Sequence, residues 1–133
     1  MKVFVAIILL GILVITGCEQ GDTRKNKTQS NELLNQFYGI WTNKDDQSYI
    51  LELQDGVELV GLKEGDIISS SKITIEEVNV NEHFIIIQGT TKYYDDDSEK
   101  EKFKSKLILR DDGKELLYLN DFLGEKFESQ WIR

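Results

Sequence analysis

Apolar and polar residues alternate along most of the chain from residue 40 onwards, and this period of two predicts β-strands. The segment 31–37 departs from the alternation and has the pattern of a helical turn, with Ser30 or Asn31 as its N-cap. Many short strands separated by close turns predict an all-β sandwich or barrel. The strand candidates cover residues 40–43, 48–54, 57–62, 66–69, 72–80, 84–94, 102–110, 114–119 and 125–132.

The hairpin at residues 107–118 has one register that satisfies both its apolar and its charged positions. It requires a two-residue turn at Asp112-Gly113, of the primed type that hairpins favour. A slip of one residue would turn an apolar face outward. The predicted cross-strand pairs are Leu107–Tyr118, Leu109–Leu116, Arg110–Glu115 and Asp111–Lys114.

The hairpin at residues 49–61 favours a different turn. A two-residue turn would set Leu53 opposite Glu58, an apolar side chain against a charged one. We therefore predict a three-residue loop at 54–56, in which Gly56 adopts the left-handed conformation. The predicted pairs are Leu53–Val57, Leu51–Leu59 and Tyr49–Gly61.

Three further strands separate an inner from an outer face. Strand 72–80 keeps its apolar residues on one face only if Glu76-Glu77 forms a bulge. In strand 102–110 the outward residues are Lys102, Lys104 and Lys106, and the inward ones are Phe103, Ser105, Leu107 and Leu109. In the last strand the inward residues are Phe127, Ser129 and Trp131.

The first eighteen residues have the composition of an export signal. Lys2 precedes an apolar run at 3–15, which is shorter than the roughly 20 residues of a membrane-spanning helix and typical of a signal peptide. The run ends in a motif that resembles the bacterial lipobox, Ile15-Thr16-Gly17-Cys18. The resemblance implies that residues 1–17 are removed and that Cys18 carries a diacylglyceryl lipid. Two acyl chains anchor a protein stably, so the expected location is the extracytoplasmic face of a bacterial cell membrane.

Residues 19–31 contain no apolar side chain larger than a threonine methyl. We therefore predict that 18–31 is the lipidated cysteine with a flexible tether, and that 32–133 is one small domain. Without Lys2 the chain has 15 Lys+Arg against 24 Asp+Glu, a net charge of −9. This charge disfavours nucleic acid as a partner.

A tryptophan motif follows the helical turn, Gly39-Ile40-Trp41, and Trp131 and Arg133 stand at the other end of the domain. A G-x-W on the first strand, followed by an up-and-down meander, resembles the lipocalin-like families. The resemblance implies a small antiparallel up-and-down β-barrel in which Trp41 closes the base and Arg133 covers it. The domain is shorter than a full lipocalin and is similar to the small lipocalin-like domains of bacterial lipoproteins.

The interior of such a barrel either holds one small ligand or is filled by side chains. Small inward residues such as Gly61 leave room, whereas the shortness of the domain favours filling. If a cavity is present, the residues expected to contact its ligand are Tyr49, Ser105, Tyr118 and Ser129.

No catalytic or metal-binding pattern stands out in the sequence. The one histidine, His83, lies in a turn without a nucleophile motif, and the acidic run 95–99 lacks EF-hand spacing. We expect a non-enzymatic protein without metal or cofactor, apart from the lipid on Cys18, that binds a small apolar ligand or an envelope protein. The alternative is an inhibitor or immunity-type protein that blocks a basic, lysozyme-like secreted enzyme with its acidic loop.

The lipobox resemblance makes a direct prediction. Cys18→Ser removes the thiol that would be acylated, so the variant should take up no lipid and should accumulate as an unprocessed precursor. Radiolabelled fatty acid and a gel shift of the membrane fraction measure both effects. Equal labelling of the variant and the unchanged protein would contradict the anchor.

Overall fold

The computed structural model describes residues 20–94, 100–122 and 125–133. The predicted lipobox and the acidic run at 95–99 lie outside the described residues. One helix precedes eight strands, and a short 3-10 turn, Asp111–Gly113, links two of them. The elements are α1 (Gln20–Phe37), β1 (Gly39–Asn43), β2 (Tyr49–Gln54), β3 (Val57–Leu62), β4 (Ile67–Asn79), β5 (Phe84–Tyr93), β6 (Lys100–Arg110), β7 (Glu115–Phe122) and β8 (Glu125–Ile132).

The eight strands form a closed barrel in which every strand pairs with its neighbours in sequence. All the pairings are antiparallel, and the ring closes where Thr42 and Asn43 of β1 lie opposite Ile132 and Trp131 of β8. Closure removes the unpaired edges that an open sheet would expose to other chains. The prediction of an all-β, up-and-down antiparallel barrel is confirmed.

Two of the strand candidates, 66–69 and 72–80, are one continuous strand, β4. The serines at 69–71 do not interrupt the strand, because their backbones pair with β5 continuously. Ser71 is buried, and its hydroxyl lies 2.9 Å from Thr91 Oγ1, so its polar side chain is satisfied inside the barrel. The bulge predicted at Glu76-Glu77 is confirmed, because the β4–β5 register shifts between Ile75 and Glu77.

The β6–β7 hairpin has the predicted register as far as the Arg110–Glu115 pair, whereas Asp111 and Lys114, which were predicted to pair, belong to the turn. Leu107 lies opposite Tyr118, and Leu109 lies opposite Leu116. Asp112 and Gly113 have φ values of 52° and 82°, as a primed turn requires. The alternation of β6 is also confirmed, with buried inward residues (Phe103, Ser105, Leu107 and Leu109) between lysines on the outer face.

The register predicted for the β2–β3 hairpin is wrong. Its turn has two residues, and Leu53 lies opposite Glu58, so Gly61 faces Ile50 instead of Tyr49. The prediction rejected this pairing because it sets a carboxylate against a buried leucine. Glu58 is nevertheless buried, since the Tyr118 hydroxyl donates a 2.7 Å hydrogen bond to its Oε2 from across the barrel. Only the left-handed conformation of Gly56, with φ 76°, is as expected.

Helix α1 is longer than the turn expected at 31–37, because it begins at Gln20 and includes most of the segment interpreted as a flexible tether. Residues 23–29 are exposed, whereas Leu33 and Phe37 are buried in the barrel core. The segment has no proline to stop a helix, so the helix extends towards the N-terminus from the part that packs into the barrel. Within the described residues no helix combines the length and the apolar character needed to cross a bilayer.

The end of the barrel next to α1, its base, is filled. Trp41 has no exposed surface and donates a hydrogen bond of 2.9 Å from its indole nitrogen to the carbonyl of Phe37. This bond satisfies a carbonyl that the end of α1 leaves free. The Arg133 guanidinium lies 4.3 Å from the Trp41 ring centre, and its Nε donates to the carbonyl of Gly113 at 2.9 Å. The helix, the first strand and the chain end therefore meet at one tryptophan.

Adjacent residues of β1 provide a matched test of this packing. Trp41→Ala should lower the free energy of unfolding by about 3–5 kcal/mol, as expected for a buried aromatic truncation. Ile40 is 59% exposed on the same strand, so Ile40→Ala should change the free energy by less than about 0.5 kcal/mol. Urea unfolding measures both values. Equal losses would show that the base is not packed around Trp41.

Candidate functional site

Beyond the filled base, the barrel interior contains a cavity of about 220 Å³. Two of its residues, Tyr93 and Phe127, lie at strand ends opposite α1 and are partly exposed, so the cavity opens towards that end. Filling and a cavity, the two alternatives for the interior, therefore occupy different parts of one barrel. The lining residues are Leu51, Glu58, Val60, Ser69, Thr91, Tyr93, Phe103, Tyr118, Asn120, Phe127, Glu128, Ser129 and Trp131.

Glu58 is the central polar group of this cavity. The two-residue β2–β3 turn directs it inward, and only 6% of its surface is exposed. Burial disfavours the charged carboxylate and raises its pKa to about 7, although the hydrogen bond from Tyr118 partly opposes the shift. Glu58 therefore changes its charge near neutral pH inside the protein.

Tyr118 holds Glu58 from the opposite wall, on β7. It is 8% exposed, and its pKa lies well above the ordinary tyrosine value, first because of burial and second because of the nearby Glu58 charge. Tyr118 is therefore a neutral hydrogen-bond donor at physiological pH. The pair can accept a proton, or it can present one carboxylate charge to a bound group.

Two buried polar atoms near this pair, Ser105 Oγ and Asn120 Oδ1, make no hydrogen bond to the described residues. The Ser105 hydroxyl lies near Tyr118 and acts to lower the tyrosine pKa, against the effect of burial, whereas Asn120 is part of the cavity lining. A buried polar atom without a partner costs roughly 1–3 kcal/mol. Asn120 Oδ1 is therefore suited to a bound molecule that supplies the missing partner.

Two other polar side chains of the wall are paired. Ser129 Oγ accepts a hydrogen bond of 2.9 Å from the indole nitrogen of Trp131, and Thr91 pairs with Ser71. Five aromatic residues contribute to the lining: Tyr93, Phe103, Tyr118, Phe127 and Trp131. The described wall thus combines five aromatic rings with a single buried carboxylate.

The structure places the predicted ligand-contacting residues differently. Tyr118 and Ser129 line the cavity, and Ser105 is buried in the barrel wall. Tyr49 is 38% exposed and is not part of the lining. Trp41 and Arg133 lie together at the base, as described above.

Sequence reasoning missed Glu58 and Asn120. A signal for Glu58 was present, because Asp55-Gly56 is a strong two-residue hairpin motif and that turn directs Glu58 inward. The preference for apolar cross-strand pairs overrode this signal. Asn120 also had a signal, because it shares the face of Leu116 and Tyr118 at the period of two, but the predicted strand ended at 119, whereas β7 continues to Phe122.

The described residues contain no group of three or more histidine, cysteine or acidic side chains that could hold a metal ion. Comparison of the chain with protein-family models, with curated proteins and with solved structures found no match. The functional argument therefore depends on the chemistry of the cavity and on the N-terminal sequence.

The raised pKa of Glu58 predicts how stability changes with pH. The folded protein holds a proton that the unfolded chain, with the ordinary value of 4.5, releases. The contribution of Glu58 to the free energy of unfolding should therefore be largest below pH 4.5, should decrease as the pH rises to about 7, and should be constant above that. The full decrease is about 3 kcal/mol.

Glu58→Gln keeps an acceptor for Tyr118 but cannot ionise, so the variant should lack this decrease and be more stable than the unchanged protein at about pH 9. Urea unfolding between about pH 4 and pH 9 measures the difference. Glu52→Gln, on the outer face of the neighbouring strand, controls for the loss of one carboxylate. If the free energies of unfolding of Glu58→Gln and the unchanged protein differ by the same amount at every pH in this range, the raised pKa of Glu58 is contradicted.

Proposed function

We propose that this protein is a lipid-anchored component of the bacterial envelope whose barrel binds a small molecule without transforming it. The observation that carries the proposal is the cavity with Glu58 buried in its wall and unpartnered polar atoms nearby. If these positions served only to stabilise the core, apolar side chains would give the barrel a higher free energy of unfolding. Burial of polar groups inside a cavity supports binding.

The proposed location depends on the N-terminal sequence. The short apolar run and the motif ending in Cys18 support export and lipidation. Helix α1 begins two positions after Cys18, and its exposed residues 23–29 precede the part that packs into the barrel. In a lipidated protein this helix would stand between the membrane anchor and the base, at the end opposite the cavity opening.

We favour binding over catalysis because the Glu58 carboxylate is engaged by the Tyr118 hydroxyl inside the cavity. His83, the one histidine of the sequence, is far from this pair, since it is exposed in the β4–β5 turn at the base end of the barrel. The alternative role, inhibition of a basic secreted enzyme, depends on the acidic run at 95–99, which lies outside the described residues. That alternative stays a prediction.

Adjacent serines of β4 allow a matched test of binding. Ser69 is 7% exposed and lines the cavity, whereas Ser70 alternates to the outer face, where it pairs with Lys92 of β5. Ser69→Leu should fill part of the cavity, and Ser70→Leu should leave it open. Native mass spectrometry of the full chain, purified in detergent, should show a small molecule on the unchanged protein and on Ser70→Leu, but not on Ser69→Leu.

Thermal melts of both variants establish that they are folded. Retention of the same small molecule by folded Ser69→Leu would contradict binding in the cavity. An empty cavity in the unchanged protein, together with a co-purified protein, would instead favour the protein-partner role.

A further inference from the structure

The charged residues of the described cavity lining have one sign. Glu58 is buried in its wall, and no lysine, arginine or histidine among the described residues forms an ion pair with it. The exposed Glu128 is the other charged residue of the described lining. An ionised carboxylate without a positive partner is costly to bury, so the cavity is better suited to a cation than to an anion or a purely apolar molecule.

The aromatic lining favours the same class of ligand. Tyrosine, phenylalanine and tryptophan rings present a negative face that attracts cations, and cages of such rings bind quaternary ammonium groups. Five aromatic residues line the cavity, and Tyr118 both contributes a ring and positions the Glu58 carboxylate. A cation in this cavity would contact ring faces as well as the carboxylate.

The unpartnered polar atom of the described lining, Asn120 Oδ1, accepts hydrogen bonds. The Glu58 carboxylate has lone pairs beyond the one that Tyr118 uses. A ligand with N–H or O–H donors would form hydrogen bonds to these acceptors, whereas the negative charge of Glu58 would repel a carboxylate or phosphate.

The cavity also limits the size of the ligand. Its volume of about 220 Å³ corresponds to about seven water molecules at roughly 30 Å³ each. The enclosed space is therefore enough for a compact molecule, whereas a long acyl chain would have to extend out of the opening.

We propose that the cavity binds a small organic cation, an alkylamine or a quaternary ammonium compound, whose charge lies against Glu58 and whose carbon atoms contact the aromatic wall. This inference rests on the proposed function and specifies the ligand of the same site. It replaces the purely apolar ligand expected from the sequence. Glu58 would provide the charge selectivity, and the rings would provide most of the contact area.

Four probes of similar size separate charge from shape. Butylamine, butanol and butyrate share a carbon chain but are positive, neutral and negative at neutral pH, and choline represents the quaternary ammonium compounds. Isothermal titration calorimetry should be done on the full chain in detergent, after any bound molecule has been removed by dialysis. At least one of the two cations should bind at least about tenfold more tightly than butanol, and butyrate should bind weakest.

Glu58→Gln should abolish the preference for the cations over butanol, while Glu52→Gln should retain the preference of the unchanged protein. Thermal melts verify that both variants are folded. The inference is overturned if Glu58→Gln retains the cation preference, or if butanol or butyrate binds as tightly as the cations. In the second case the cavity still binds small molecules, so the proposed function stands. If no probe binds and the purified chain carries no small molecule, the proposed function itself fails.

Discussion

Pairing between β1 and β8 is the constraint on which the other features depend, because it turns an eight-stranded sheet into a barrel with an interior. The pairing is short, and it is extended by the backbone hydrogen bond from Lys44 to Gln130 at 2.8 Å. Because the two strands share only a short pairing, their contact needs support from nearby side-chain packing. Trp41 and Arg133 provide that support, since they bring the first strand, the last residue and the end of α1 together at the base.

Closure also creates the environment that defines the candidate site. Inside the barrel Glu58 loses most of its water, and a single hydrogen bond from Tyr118 compensates only in part. The same burial that raises its pKa makes a positively charged ligand favourable at that point. The cost to stability and the proposed affinity therefore have one origin, the low polarity of a closed barrel, as is common at functional sites.

The two ends of the barrel have different roles for a simple geometric reason. Helix α1 covers one end and places Leu33 and Phe37 in the core, so side chains fill the barrel interior at that end. The opposite end has no helix among the described residues, and small side chains such as Ser69 and Ser129 line its wall. The cavity lies where small residues face inward and none of the helices or strands that the structure describes covers them.

The sequence by itself determined the class of fold, most of the strands and the β6–β7 register, because alternation and the Asp112-Gly113 turn are local signals. It also pointed to Trp41 through a short motif. Only the tertiary structure decided the β2–β3 register and the inward position of Glu58. The partner that makes burial of Glu58 possible, Tyr118, is sixty residues away in the chain. No local pattern can show that two distant polar residues satisfy each other, so the central residue of the candidate site became visible only once the barrel had closed.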